Sequence, residues 1–342
     1  MNSAGPSPLL ARFDAMPDGW RDAVVAIGNF DGVHSGHQAV LAAARAQAEH
    51  VGVPMIMLTF EPHPRTFFQP DSPIFRLTPA EIKAAVACAC GVDGVVVLPF
   101  DTALSEMSAD DFVRDILIGR LAIRHAITGY DFHFGHKRLG TPDYLQRAGV
   151  LNGFGVTIVA EHGDESGAVS SSRIRSALTE GAVAAANQML GWTWSVAGEI
   201  RQGEKRGREL GYPTANMSLD PACGLRHGIY AVRFIRADGT HHNGVASFGR
   251  RPTFDNGHPL LETHLFDFSG DLYGETALVS LADWIRPELK FDSVDALVTQ
   301  MDDDSARARA CLGDTPAGPM DADIHRLWAR IAADDRQYAE HI

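Results

Sequence analysis

The chain has 342 residues, 45% of them apolar, and a formal net charge of −13. That length supports a full hydrophobic core and two domains, while the acidic balance argues against a nucleic-acid partner, which a basic face would have to attract. The four cysteines have no zinc-type spacing, and the hydropathy pattern contains neither a signal-peptide core nor a membrane span, so the expectation is a cytoplasmic protein with reduced thiols and no membrane partner.

Residues 1–20 are read as an extension. The first half then alternates strand-like runs at 23–27, 55–60, 95–99, 125–128 and 156–160 with helical patterns at 38–49, 80–90, 109–121 and 143–151. Ser108 and Asp111 form a capping-box variant before the third of these helices. Such alternation predicts an α/β domain with a doubly wound, mostly parallel sheet that takes ligands beyond the carboxyl ends of its strands. The segment GNFDGVHSGH, 28–37, is a strand-to-helix turn of that kind, with the helix expected to begin near Gln38. Unpaired N–H groups at a helix start attract phosphate, and His34 and His37 flank Gly36 as two imidazole donors.

Further segments converge on the strand ends. FEPHP, 60–64, is expected to be an extended loop that holds Phe60 and His63 at the rim. RLTP, 76–79, is expected to cap a helix. GYDFHFG, 129–135, offers Asp131 beside Tyr130, Phe132 and Phe134, the mix that holds a flat aromatic ligand. VSSSRIR, 169–175, opens a helix with Ser170, Ser171 and Ser172 and places Arg175 one turn inside it. Short helices are expected at 171–178 and 182–190.

From there the pattern turns to strands, at 194–200, 228–235, 242–248, 261–268 and 276–285, with hairpin chemistry at 237–240 and 268–271. Five or six such strands predict a small closed all-β barrel. Within it, GEKRGRELGYPTANM, 203–217, spaces Gly203, Gly207 and Gly211 as a flexible loop and charges it with Lys205, Arg206 and Arg208, as a flap over phosphates requires. Thr214 and Asn216 follow as neutral oxygen ligands suited to Mg²⁺ on a triphosphate. A helix is expected over 293–311, and then a tail whose Ile324, Leu327, Trp328 and Ile331 share one helical face. That face should dock, on the barrel or on a neighbouring chain through self-association.

HSGH and VSSSRIR resemble the paired HxGH and ISSTxxR elements of the nucleotidylyltransferase superfamily, with Ser172 in place of the usual Thr. GNFDGVHSGH, FEPHP, VSSSRIR, KRGRELGYPTAN, GIYAV, RPTF and LETHLFDFSGDLYG together, in that order, resemble the bacterial bifunctional riboflavin kinase/FMN adenylyltransferase family. The resemblance implies an FMN adenylyltransferase domain at 21–190, a six-stranded riboflavin kinase barrel at 191–312 and an extension at 313–342 outside the family pattern. It implies ATP, riboflavin and FMN as substrates, FAD as product and Mg²⁺ as cofactor. Gly28, Asn29, Phe30, Gly36 and the three serines are then assigned to ATP in the first domain, with His34, His37 and Arg175 catalytic. Gly203, Lys205, Arg206, Gly207, Arg208 and Gly211 are assigned to ATP in the second, Glu262 to the kinase base, and Phe60, His63, Asp131 and Phe132 to flavin. The family often has Arg-Pro-aromatic where this chain has Trp192-Thr193-Trp194. Two alternatives are an adenylyltransferase for another phosphorylated substrate and a flavin-binding protein that has lost catalysis.

Overall fold

In the first half, runs of Val, Ile, Leu and Met leave no polar face, and a strand without one must be covered on both sides. The computed structural model, which describes residues 8–164, 167–203, 206–250, 259–314 and 318–334, shows that arrangement. Strands β1 (Leu10–Arg12), β2 (Val24–Ile27), β3 (Met55–Glu61), β4 (Gly94–Pro99), β5 (His125–Gly129) and β6 (Gly155–Val159) form a sheet in the order β1-β4-β3-β2-β5-β6. Every neighbouring pair is parallel. All of β2, and all but the last residue of β3 and β4, are buried. Gly94 is required where Trp20 lies on the sheet, since a Cβ there would come within 2.2 Å of the indole. Strand β1 is too short to show a period in sequence and was not expected.

The helices of this half are α1 (Ser35–Val51), α2 (Pro64–Phe68), α3 (Ala80–Ala89), α4 (Thr102–Glu106), α5 (Ala109–Asp111) and α6 (Pro142–Asn152). Ser108 caps α5 as expected, its Oγ accepting the Asp111 N–H at 3.0 Å. The helix expected over 109–121 continues from α5 as a π-helix, Phe112–Arg120. Two short strands, β7 (Gly163–Asp164) and β8 (Gly167–Ala168), pair with each other. The chain steps outward from β2 through β3 to β4, then returns to β5 on the other side of β2. The switch point therefore lies at β2 and β5, where a crevice opens beyond the carboxyl ends.

The chain divides into two compact units, the first running to Ser170 and the second from Ser171 to Ala333. Helices α7 (Ser171–Glu180) and α8 (Val183–Leu190), placed in the first domain by sequence, fall on the second side of that division. The Arg226 N–H donates to the Leu178 carbonyl and its guanidinium to that of Glu180, and Asn187 Nδ2 donates to the Leu281 carbonyl.

The second unit is a closed antiparallel barrel of β9 (Ser195–Arg201), β10 (Ala215–Ser218), β11 (Gly228–Arg236), β12 (His241–Arg250), β13 (Pro259–Leu265) and β14 (Thr276–Arg286). Their order is β10-β13-β12-β11-β14-β9. The turn at 237–240 is a true hairpin between β11 and β12, with Gly239 at φ 83°. The turn expected at 268–271 is not one: β13 and β14 do not pair, and the segment crosses over between non-adjacent strands. After the four-residue α9 (Arg206–Glu209) come α10 (Val294–Asp314) and α11 (Pro319–Asp334). Ala308 and Leu312 of α10 pack on Ala231, Val245 and Phe266. On α11, Ile324, Leu327, Trp328 and Ile331 are all buried. Asp321 accepts the Thr193 N–H at 2.8 Å and its hydroxyl at 2.7 Å, and His325 Nε2 lies 3.1 Å from Ser280 Oγ. Of the two docking surfaces expected for the tail, the barrel of its own chain is the one used.

Candidate functional sites

Beyond β2 the chain turns through residues 28–33 into α1. Phe30 and Val33 hold φ of 48° and 39°, a strained conformation, above all for a β-branched residue. The surroundings over-determine it. Val33 is fully buried, the Asp31 carboxylate accepts the N–H groups of Leu77 (3.0 Å) and Thr78 (3.1 Å), and the Gly32 N–H donates to Thr78 Oγ1 at 2.9 Å. RLTP is therefore the clamp on this turn as well as the lead into α3.

His34, 6% exposed, is the N-cap of α1, which is why the helix starts at Ser35 and not near Gln38. Its Nδ1 accepts the His37 N–H at 3.4 Å, so the neutral ring carries its proton on Nε2. The two imidazoles stack at 3.7 Å between centroids, and Phe30 meets His37 edge-on at 5.3 Å. His37 Nδ1 is buried with no hydrogen-bond partner. Burial, then His34, then the Lys83 ammonium push the His37 pKa well below its ordinary value, which leaves a neutral ring at physiological pH. A Cβ on Gly36 would lie 3.2 Å from the His34 ring and 3.7 Å from the Val169 carbonyl. The start of VSSSRIR is thus beside the HxGH turn, while Ser171, Ser172 and Arg175 lie on α7 in the second unit.

The other strand-end segments differ in part from expectation. Phe60 is not at a rim but in the core, 7% exposed and edge-on to Phe100 at 6.3 Å, because it ends the buried run of β3. His63 caps α2, its Nδ1 accepting the Arg65 N–H at 3.1 Å, so FEPHP passes into a helix. Phe134 is buried against Phe112, Phe132 and Tyr144. Asp131 is exposed and Phe132 half-buried. No group of three or more His, Cys, Asp or Glu arranged to hold a metal occurs among the described residues.

In the barrel, Asn216 on β10 stands opposite Glu262 on β13, and directly opposed residues share a face. Asn216 is 6% exposed, its Nδ2 donates to the Thr214 carbonyl at 3.3 Å, and its Oδ1 is buried without a partner. An unsatisfied amide oxygen beside a carboxylate fits a hard cation such as Mg²⁺. Gly203, Thr214 and Asn216 line a cavity of about 260 Å³ with Phe268, Ser269, Asp271 and Tyr273. The crossover 268–273 is thus a wall of this cavity and not a hairpin. A Cβ on Gly203 would fall 2.5 Å from Asn216 Nδ2, and one on Gly207 2.3 Å from the Tyr212 carbonyl. Gly211, at φ 84°, takes a conformation that favours glycine. Tyr212 fastens this segment, hydrogen-bonding Asp302 of α10 and packing on His264 at 4.8 Å. Arg206 and Arg208 belong to α9. Lys205 and the RPTF motif lie outside the described residues.

The chain matches the family model described as FAD synthetase over residues 16–173 and that described as riboflavin kinase over residues 190–312. It is 43% identical over 291 residues to a protein of Pseudomonas fluorescens named bifunctional riboflavin kinase/FMN adenylyltransferase, covering 85% of this chain and 93% of that one. A protein of the same name from Listeria monocytogenes is 39% identical over 299 residues, covering 86% and 94%. A solved structure from Streptococcus pneumoniae, named a macrolide-efflux protein, superposes with a TM-score of 0.77 at 31% identity, covering 88% of this chain and 99% of that one. Among the described residues, no helix is long and apolar enough to cross a membrane.

Proposed function

The chain belongs to the bifunctional riboflavin kinase/FMN adenylyltransferase family, and from that premise we propose how its residues divide the two reactions. The protein phosphorylates riboflavin to FMN in its C-terminal barrel and transfers an adenylyl group from ATP to FMN in its N-terminal domain, giving FAD and pyrophosphate.

For adenylyl transfer, a phosphate oxygen of FMN attacks the α-phosphorus of ATP as the bond to pyrophosphate breaks. The protein supplies position and charge, not a nucleophile. His34, through Nε2–H, and His37 donate to phosphate oxygens, and the turn from Gly28 to Phe30 with Gly36 lets the triphosphate approach the start of α1. Ser170, Ser171, Ser172 and Arg175 take the charge that develops on pyrophosphate. Flavin contact falls to His63, Asp131 and Phe132, with buried Phe60 as support behind them.

For phosphorylation, Glu262 accepts the proton of the riboflavin 5′-hydroxyl as its oxygen bonds to the γ-phosphorus and ADP departs. The segment from Gly203 to Gly211, with Lys205, Arg206 and Arg208, covers the phosphates. Thr214 and Asn216 would hold Mg²⁺, which neutralises charge on the phosphate oxygens. The observation that carries this half is the orphaned Oδ1 of Asn216, the residue that pairs with Glu262 across the ladder. Glu262→Gln preserves size and removes the proton acceptor. Riboflavin phosphorylation should fall by roughly 10²-fold or more, the scale for a lost general base, while supplied FMN is still converted to FAD. Undiminished phosphorylation in that variant would remove Glu262 from the mechanism.

A further inference from the structure

One buried cation of the first unit has no part in the roles assigned above. Lys83, on α3, is 2% exposed. Its ammonium donates to Thr59 Oγ1 at 3.1 Å and to Glu61 Oε1 at 2.9 Å, and the same Glu61 oxygen accepts from Arg76 at 2.7 Å. Thr59 Oγ1 donates onward to the Asn29 carbonyl at 3.0 Å. A relay therefore runs from α3 across the end of β3 into the turn that receives phosphate. Burying an ammonium is costly, and an apolar side chain fills such a position at less cost in stability. Two cations here, Lys83 and Arg76, share one carboxylate oxygen of Glu61.

We propose that Lys83 is a positioning residue for adenylyl transfer, which fixes the Asn29 carbonyl through Thr59 and with it the turn that leads to His34 and His37. This rests on the reading of His37 as a phosphate donor. The titratable and charged groups that act on His37 are His34, stacked on it from the N-cap, and Lys83 of α3, through its charge alone, and both disfavour the imidazolium. The carboxylate of Asp31, the acidic residue of the turn, is engaged by Leu77 and Thr78. Two imidazolium rings 3.7 Å apart would repel each other, so neutrality is what allows both histidines to serve one site. If the neutral ring is the active one, activity falls as the pH drops through the His37 pKa.

The test uses the full chain and follows the His37 imidazole by NMR across pH, with His37→Ala for assignment. Lys83→Met removes the charge at similar length. The His37 midpoint should rise by about 0.5–1 pH unit, as for a lost nearby charge. The acid limb of FMN adenylylation should move up with it, and kcat should fall by roughly tenfold while KM for ATP changes less. Glu61→Gln keeps Lys83 but removes its counter-ion, so both the midpoint and the acid limb should move down. Opposite displacements in the two variants support the proposal. If either folded variant leaves both at their wild-type positions, Lys83 is structural only; should Lys83→Met fail to fold, Glu61→Gln decides alone. Full adenylylation in His37→Ala would instead overturn the phosphate-donor reading, a separate failure.

Discussion

An amide oxygen kept buried and unbonded forfeits free energy, on the order of 1–3 kcal/mol for such a group. Asn216 Oδ1 is in that state, while its Nδ2 lies so close to Gly203 that a Cβ there would fall within 2.5 Å of it. Folding alone does not ask for this, but a cation would repay it. Asn216→Ala should therefore barely lower the melting temperature, since one 3.3 Å hydrogen bond is all that the amide makes. It should raise the Mg²⁺ concentration for half-maximal riboflavin phosphorylation by at least about tenfold, the range known for lesser metal-site partners. A Mg²⁺ titration that superposes on the wild type would take Asn216 out of the metal site.

Helix α11 shows what an element's sequence reveals and what it withholds. The stripe of Ile324, Leu327, Trp328 and Ile331 was legible because a helical period is local. Its partners were not, because Thr193 and Ser280 are distant in the chain and only the barrel brings them to Asp321 and His325. His325 is pushed down to about 4 by burial first and then by His241. Its folded pKa is below its unfolded one, near 6.5, so the unfolded chain binds the extra proton. Stability is fully present above about pH 6.5 and is lost as the pH falls toward 4, by at most about 3.4 kcal/mol at 1.36 kcal/mol per unit. Truncation after Gly313 should lower the melting temperature and flatten its dependence on pH in that window, as thermal denaturation would record. An unchanged melting curve in the truncated chain would mean that the docked helix contributes nothing. The same contrast holds at the sites. HSGH and PTAN could be found as short motifs and Glu262 only through the family resemblance of LETHLFDF, whereas Asp31 with Thr78, and Lys83 with Thr59 and Asn29, meet only across strands. Strands β1 and β10 were too short to show a period, and the crossover 268–273 carried true turn residues in a segment whose strand order was set elsewhere.

On the scale of the molecule, the phosphate turn and the barrel cavity are built from different sheets, one parallel and one antiparallel. A single substitution should therefore separate the activities. His37→Ala is expected to lower FAD formation by roughly 10²-fold or more, as for a lost transition-state donor, with FMN formation from riboflavin within a few-fold of normal. Joint collapse of both rates in a folded variant would contradict the assignment of separate sites. The small strand β1 bears on a different property of the whole, its resistance to self-templating. Its three residues pair with Val95, Val96 and Val97, an uncharged β-branched run of the type that favours cross-β stacking when its edge lies open. Arg120 ties the following turn down through the carbonyls of Phe13 and Asp14. Leu10, Ala11 and Arg12 thus occupy an edge that would otherwise stand open, and a chain cut before Phe13 should self-associate more readily, as light scattering would record.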